Sequence, residues 1–179
     1  GDPGLIFLDK INKDNPTPKL GILESTDSCG EQPLLPYESA NLGSINLSNI
    51  IKNGKIDFNK LKNIAHKAIH FLDNVIDMCN YPNNETRDIV SKNRKIGLGV
   101  MGFANMLIKL KIPYNSENAV KTAEKLIAFI RKEADNASIS LAKERGVFPN
   151  WYESIYNKKS RHFKGKHLEL RNATRITLA

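Results

Sequence analysis

Asp27-Ser28-Cys29-Gly30-Glu31 sets one thiol between two carboxylates at every-second-residue spacing. In extended backbone, residues i and i+2 project to one side about 6.5–7 Å apart, so both carboxylates would flank the sulfur on a common face. A thiol supplies a nucleophile, or a hydrogen-atom donor once oxidised to a radical. A neighbouring carboxylate can take a proton from a substrate hydroxyl. Adjacent negative charge disfavours a thiolate, which argues against an activated nucleophile and suits radical chemistry with a neutral thiol. Gly30 allows a tight turn or a close approach of substrate to the backbone. Cys29, Glu31 and Asp27 are therefore the candidate catalytic residues, with Ser28 and Gly30 the candidate substrate-binding positions. The competing reading is a surface turn that happens to hold a cysteine.

Other groupings carry weaker chemistry. Gly97-Leu98-Gly99-Val100-Met101-Gly102 spells G-x-G-x-x-G between a short apolar run and a helical pattern. On its own that spacing suggests a dinucleotide fold. The run before it is very short and carries Arg94 and Lys95, so close strand–helix packing at glycine is the preferred reading. His66 and His70 stand at i and i+4 with Asp73 and Asp77 nearby. That spacing could hold a metal on one helix face; without a third ligand set, a solvated polar face is preferred and no metal ligand is assigned. Residues 158–167 hold Lys158, Lys159, Arg161, Lys164, Lys166, His162 and His167 with no acid. A basic nucleic-acid-binding module is the alternative function, although Phe163 alone offers a stacking surface there.

The elements that must position these residues can be read from periodicity. Residues 20–24 suggest a short strand, and 25–31 a polar loop tip with Gly30 inside it. Residues 41–47 alternate as a second strand, and Asn53-Gly54 signals a tight turn. Apolar residues at 58, 61, 64, 65, 68, 69, 72, 75, 76 and 79 give helical spacing, with Asp57 as N-cap and Cys79 as a buried core thiol. A short helix is expected over 85–93, a buried strand over 95–100 and a helix over 101–110. Ser116 caps a long helix that Gly146 stops. Residues 150–168 read as irregular, and 173–179 as a last strand. Strands alternating with helices predict an α/β fold with parallel pairing.

Bulk properties set the limits. A chain of 179 residues makes one domain with a real core and not two large ones. Its 40% hydrophobic and 26% charged residues exclude global disorder. No apolar stretch reaches the roughly 20 residues of a membrane span, and no signal peptide is legible at Gly1-Asp2-Pro3-Gly4. That start also lacks a Met, so an engineered piece, a processed product or an excerpt of a longer chain is expected. Two cysteines, Cys29 and Cys79, suit a reducing, cytoplasmic setting. The net charge of +8 suits anionic partners, nucleotides included.

Cys29-Gly30-Glu31-Gln32-Pro33-Leu34-Leu35-Pro36-Tyr37-Glu38-Ser39, followed by Asn41-Leu42-Gly43-Ser44-Ile45-Asn46-Leu47, closely resembles the finger-loop region of adenosylcobalamin-dependent (class II) ribonucleotide reductases. Gly1-Asp2-Pro3-Gly4-Leu5-Ile6-Phe7-Leu8-Asp9, Asn93-Arg94-Lys95-Ile96-Gly97-Leu98-Gly99-Val100-Met101-Gly102-Phe103-Ala104 and Arg171-Asn172-Ala173-Thr174 resemble further blocks of that family, in the same order. The class I branch, with a separate metal subunit, is the less similar one.

The resemblance implies a ten-stranded α/β barrel. This chain would supply a central portion as one partial domain, with the finger loop at about residues 25–40. It implies that Cys29, at the barrel centre, becomes a thiyl radical and abstracts the 3′-hydrogen of a ribonucleotide. Glu31 would accept the 3′-hydroxyl proton while the 2′-hydroxyl leaves as water. The implied cofactor is adenosylcobalamin. The implied partners are a ribonucleoside di- or triphosphate, the remainder of the reductase chain, an external dithiol reductant and a second copy in a homodimer of the full enzyme.

Two features depart from the family pattern. Asp27-Ser28 stands where the family has Asn-Pro, and an ionised Asp lacks the amide's donors. Ala40 stands where the family usually has one cysteine of the reducing pair, so multiple turnovers with dithiols are expected to be blocked. The family continues past residue 179 into a Pro-Thr-Gly turn that holds substrate phosphate. The 179-residue chain alone is therefore expected to be inactive.

Overall fold

The computed structural model describes residues 4–178. Gly1-Asp2-Pro3, part of one expected block, and Ala179 lie outside the described residues. A short helix α1 (Leu8–Lys13) leads to a single 3₁₀ turn at Pro18–Leu20. The strand expected at 20–24 is not there. Pro18 starts that 3₁₀ turn, and the backbone of Leu23 is paired with an amide side chain instead of a strand. Asn12 Nδ2 donates to Leu23 O at 2.9 Å, and Leu23 N donates to Asn12 Oδ1 at 2.8 Å. Strand pairing starts later, in the antiparallel hairpin β1 (Ser25–Thr26) and β2 (Pro33–Leu34).

The centre of the fold is a parallel pair, β3 (Asn41–Asn46) and β6 (Ile96–Met101), in register from Asn41 opposite Ile96 to Asn46 opposite Met101. Between them run a 3₁₀ turn (Leu47–Ile50), the hairpin β4 (Ile51–Lys52) and β5 (Lys55–Ile56), and helices α2 (Phe58–Met78) and α3 (Asn84–Asn93). The β4–β5 turn is Asn53-Gly54, both at positive φ (50° and 69°) as a tight hairpin demands. After β6 come α4 (Phe103–Leu110) and the 29-residue α5 (Glu117–Arg145). The N-caps are the expected ones: Asp57 accepts from Lys60 N at 2.9 Å, and Ser116 accepts from Ala119 N at 3.2 Å.

Helix α2 lies between the strand pair and α5. Its apolar stripe, Leu61, Ala65, Ile69, Leu72 and Ile76, closes the main core with Ile45, Ile96, Leu98, Leu126 and Ile130. The stripe ends before Cys79, which is exposed and not a core thiol. The helix stops at Met78, and Cys79 turns to φ −71°, ψ 138°, out of helical phase. A smaller core gathers Phe148, Trp151, Leu170 and Ala173 beneath the basic coil of 158–167.

The last expected strand is reduced to an extended segment beside β6. Leu98 N donates to Arg175 O at 2.8 Å, and a single parallel bridge joins Leu98 to Ile176. The flanking bonds, Ile96 N to Thr174 O and Thr177 N to Leu98 O, stretch to 3.3 and 3.4 Å, too loose for a full ladder. Three parallel lengths of chain thus lie side by side, in the order β3, β6, 174–177. Among the described residues they form an open α/β sheet and not a closed barrel.

Candidate active site

The polar loop joins β1 to β2, and Cys29 stands at its tip. The hairpin closes through Asp27 N to Gln32 O and Gly30 N to Asp27 O, both 3.1 Å. The segment is a turn, so the alternation of extended backbone does not apply to residues 27–31. Gly30 lies at φ +89°, and a Cβ there would meet nothing within 4 Å, so its absence serves the backbone conformation and not packing. Cys29 is exposed, with Ser28 Oγ 3.8 Å from its Sγ. Asp27 turns one oxygen onto the loop itself, where Oδ1 accepts Gln32 N at 3.1 Å. Glu31 is half-buried, and its Oε2 is buried with no partner among the described residues. The turn thus holds a free thiol and an uncommitted carboxylate oxygen two residues apart.

The root of the loop rests on a buried ion pair that composition and spacing did not reveal. Leu35-Pro36-Tyr37-Glu38 turns back on itself, with Glu38 N donating to Leu35 O at 3.0 Å and Tyr37 at φ 61°. The Glu38 carboxylate then accepts three bonds: Leu35 N at 2.8 Å, Lys95 Nζ at 2.7 Å and Asn93 Nδ2 at 2.7 Å. Lys95 Nζ also donates to Pro33 O at 3.1 Å. Burial pushes the Lys95 pKa below the usual lysine range, against the charge and hydrogen bond of Glu38. The one available signal was two charges, Arg94 and Lys95, abutting an apolar run.

Arg94 organises the neighbouring polar core. It caps α3 in the left-handed region (φ 49°) and donates from Nε to Asp73 Oδ1 at 2.9 Å and from Nη1 to Asp77 Oδ1 at 2.7 Å. Asn172 Nδ2 reaches the same Asp73 oxygen at 2.9 Å, which ties the end of the chain to α2. Burial weakens the hold of Arg94 on its proton, but the bonds to Asp77 and Asp73 outweigh it.

The solvated-face reading holds for His70 and Asp77, which are exposed although paired, and is corrected for Asp73 and in part for the half-buried His66. Asp73 is fully buried; His66 Nε2 sits 2.8 Å from Glu133 Oε2, and His70 Nε2 2.8 Å from Arg145 Nη2. The face that periodicity leaves polar is thus shared between α5, which His66 and His70 reach, and solvent, to which His70 and Asp77 stay open. The glycines of Gly97-x-Gly99 do permit close packing, but against strands and not a helix. A Cβ on Gly97 would lie 2.5 Å from Thr177 Cγ2 and 2.6 Å from Leu42 Cδ2, and one on Gly99 2.9 Å from Thr177 O. The basic coil of 158–167 is partly fold-bound, with the His167 ring 5.5 Å from that of Trp151.

A family model described as the ribonucleotide reductase barrel domain matches residues 1–175. The chain belongs to that family. Among ribonucleotide reductases, the vitamin B12-dependent ribonucleoside-diphosphate reductase of Thermoplasma acidophilum is 53% identical over 99% of this chain and 22% of its own length. The protein of the same description from Mycobacterium tuberculosis is 52% identical over 87% of this chain, again 22% of its own length. The chain therefore spans about a fifth of the curated relatives it matches. The class Id ribonucleotide reductase alpha subunit of Actinobacillus ureae superposes with a TM-score of 0.77 over 100% of this chain and 33% of its own, at 22% identity, a likeness of fold. Membership favours the reductase reading over a basic binding module. Among the described residues no helix is long and apolar enough to cross a membrane.

Proposed function

We propose that this chain is a central segment of the ten-stranded catalytic barrel of an adenosylcobalamin-dependent ribonucleotide reductase, a single partial domain with its finger loop at about residues 25–40. One observation carries the reading: an exposed thiol and a buried, unpartnered carboxylate oxygen share a braced turn. Cys29, as a thiyl radical, takes the 3′-hydrogen of the ribose. The partnerless Oε2 of Glu31 accepts the 3′-hydroxyl proton as the 2′-hydroxyl departs as water. An external dithiol supplies the two electrons, and the hydrogen returns from Cys29 to C3′. Asp27 keeps the turn closed with Oδ1 and leaves Oδ2 for a substrate hydroxyl. Ser28 and Gly30 flank the thiol and line the substrate's approach.

An open thiol at a loop tip fits a radical source that approaches from outside this segment, so the cofactor of the two vitamin B12-dependent relatives is compatible with these residues. Adenosylcobalamin, when bound, supplies the starting radical by homolysis of its cobalt–carbon bond. No side chain described here is assigned to hold it. The substrate is a ribonucleoside di- or triphosphate. The remaining partners are the rest of the reductase chain and a second copy of the full enzyme, in the cytoplasm.

The test is single-turnover deoxyribonucleotide formation by the full-length reductase that carries this segment, with adenosylcobalamin and a dithiol, because Ala40 is expected to block repeated turnover. Cys29→Ser is expected to abolish it, and Glu31→Gln to slow it by about 10²–10⁴-fold, the usual contribution of a positioned acid–base group. Unchanged turnover in Cys29→Ser would overturn the reading.

A further inference from the structure

Thr177 reaches the active-site turn from the far end of the chain. Its Oγ1 donates to Glu31 O at 2.9 Å, and the residue is 9% exposed. Among the described residues, this is the one hydrogen bond that reaches positions 27–32 from outside the β1–β2 hairpin. Every other bond to those positions is made by the hairpin itself. The tip has little else to hold it, since the space beside Gly30 is open.

The threonine is itself firmly placed. Its Cγ2 fills the gap left by the missing side chain of Gly97, and its carbonyl lies where a Gly99 side chain would be. Two residues earlier, Arg175 Nε donates to Asp135 Oδ1 at 2.8 Å and Nη1 to Tyr156 Oη at 3.2 Å. Tyr156 Oη donates in turn to Ala173 O at 2.9 Å. A braced segment therefore presents one hydroxyl to the backbone of one residue, and that residue carries the unpartnered carboxylate.

From this geometry we propose that Thr177 is a positioning residue for Glu31: its hydroxyl fixes the Glu31 peptide and with it the direction of the carboxylate. The proposal rests on the reductase reading, in which Glu31 handles the 3′-hydroxyl proton. Displacing a reacting group by about 1 Å can cost on the order of 10²-fold in rate, so one lost backbone anchor is felt at the chemical step. Substrate binding, which draws on other parts of the barrel, is left alone.

The experiment compares Thr177→Val with Thr177→Ser in the full-length reductase. Valine keeps the branched shape that fills the Gly97 gap and removes only the hydroxyl; serine keeps the hydroxyl and removes the methyl. Expected are a single-turnover rate constant at saturating substrate lowered by about 10–100-fold in Thr177→Val with the half-saturating substrate concentration within about twofold, and the rate constant restored in Thr177→Ser. Hydrogen exchange of peptides spanning residues 27–32 is read in parallel, so that a result exists even if catalysis is lost. Faster exchange in the valine variant and unchanged exchange in the serine variant support the anchor. Equal single-turnover rate constants in Thr177→Val and the unsubstituted enzyme overturn the proposal, as does a serine variant as slow as valine. Cys29→Ser run alongside separates the two levels: if it still turns over, the reductase reading itself has failed.

Discussion

Replacing Lys95 with Met tests whether the loop root depends on a buried charge pair or merely on volume. The Lys95 side chain is 1% exposed and that of Glu38 0%, with 2.7 Å between Nζ and Oε2. Removing one partner of such a pair usually costs about 3–5 kcal/mol, because the other charge stays buried without compensation. In Lys95→Met the Glu38 carboxylate keeps its bonds from Asn93 and Leu35, so a loss near the lower end, about 3 kcal/mol, is expected. Glu38→Gln leaves the ammonium with only neutral acceptors, the Gln amide oxygen and Pro33 O, and a similar loss follows. Lys95 then titrates still lower, because the Glu38 charge that raises its pKa is gone. A depressed lysine makes stability rise with pH, from its folded pKa up to the ordinary value of 10.5. The Glu38→Gln protein should therefore gain stability on alkaline titration, more than the parent does. The double variant leaves no uncompensated charge and should be less destabilised than the sum of the singles by about 2 kcal/mol. Urea unfolding followed by circular dichroism gives all four corners of the cycle. A coupling within about 0.5 kcal/mol of zero would refute the argument.

Gly97→Ala should destabilise the protein by about 1–3 kcal/mol, the usual cost of an added methyl in a full core. Its Cβ would meet Thr177 Cγ2 at 2.5 Å; adding Thr177→Ser should recover part of the loss, and an unchanged melting temperature in the single variant would count against the packing account. Acid should loosen the α2–α5 contact. Burial pushes the Glu133 pKa up, but His66, Lys62 and Asn136 outweigh it and hold it below 4.5. The folded protein then binds fewer protons than the unfolded chain, so this stability is present above pH 4.5 and lost as pH falls through the lower folded value. Thermal melts from pH 6 to pH 3 should show the drop, and Glu133→Gln should shrink it; an equal drop in that variant would remove Glu133 from the explanation.

What could be read in advance had local causes. The α2 and α5 helices, their Asp57 and Ser116 caps and the Asn53-Gly54 turn are written in neighbouring residues, and so are β3 and β6. The turn at Cys29 was legible because Gly30 and its polar company are local signals. The errors came where a distant partner decided. Residues 20–24 lost their strand to an amide on α1, and Asp73 on the polar face of α2 became buried because Arg94, Arg145 and Asn172 converge on it. The supports of the candidate active-site turn were the least legible part. Glu38 and Lys95 meet across 57 positions, and Thr177 and Glu31 across 146. No spacing rule connects such pairs, although two charges beside an apolar run can mark one end of them.

The separation of 146 positions between Glu31 and its anchor also orders events during synthesis. On a translating ribosome the hairpin emerges first, and the threonine that holds its glutamate arrives long afterwards. Until then the cysteine sits on an untethered tip. Under the proposed anchoring role, Glu31 is held in place only once the late-made stretch carrying Thr177 has docked.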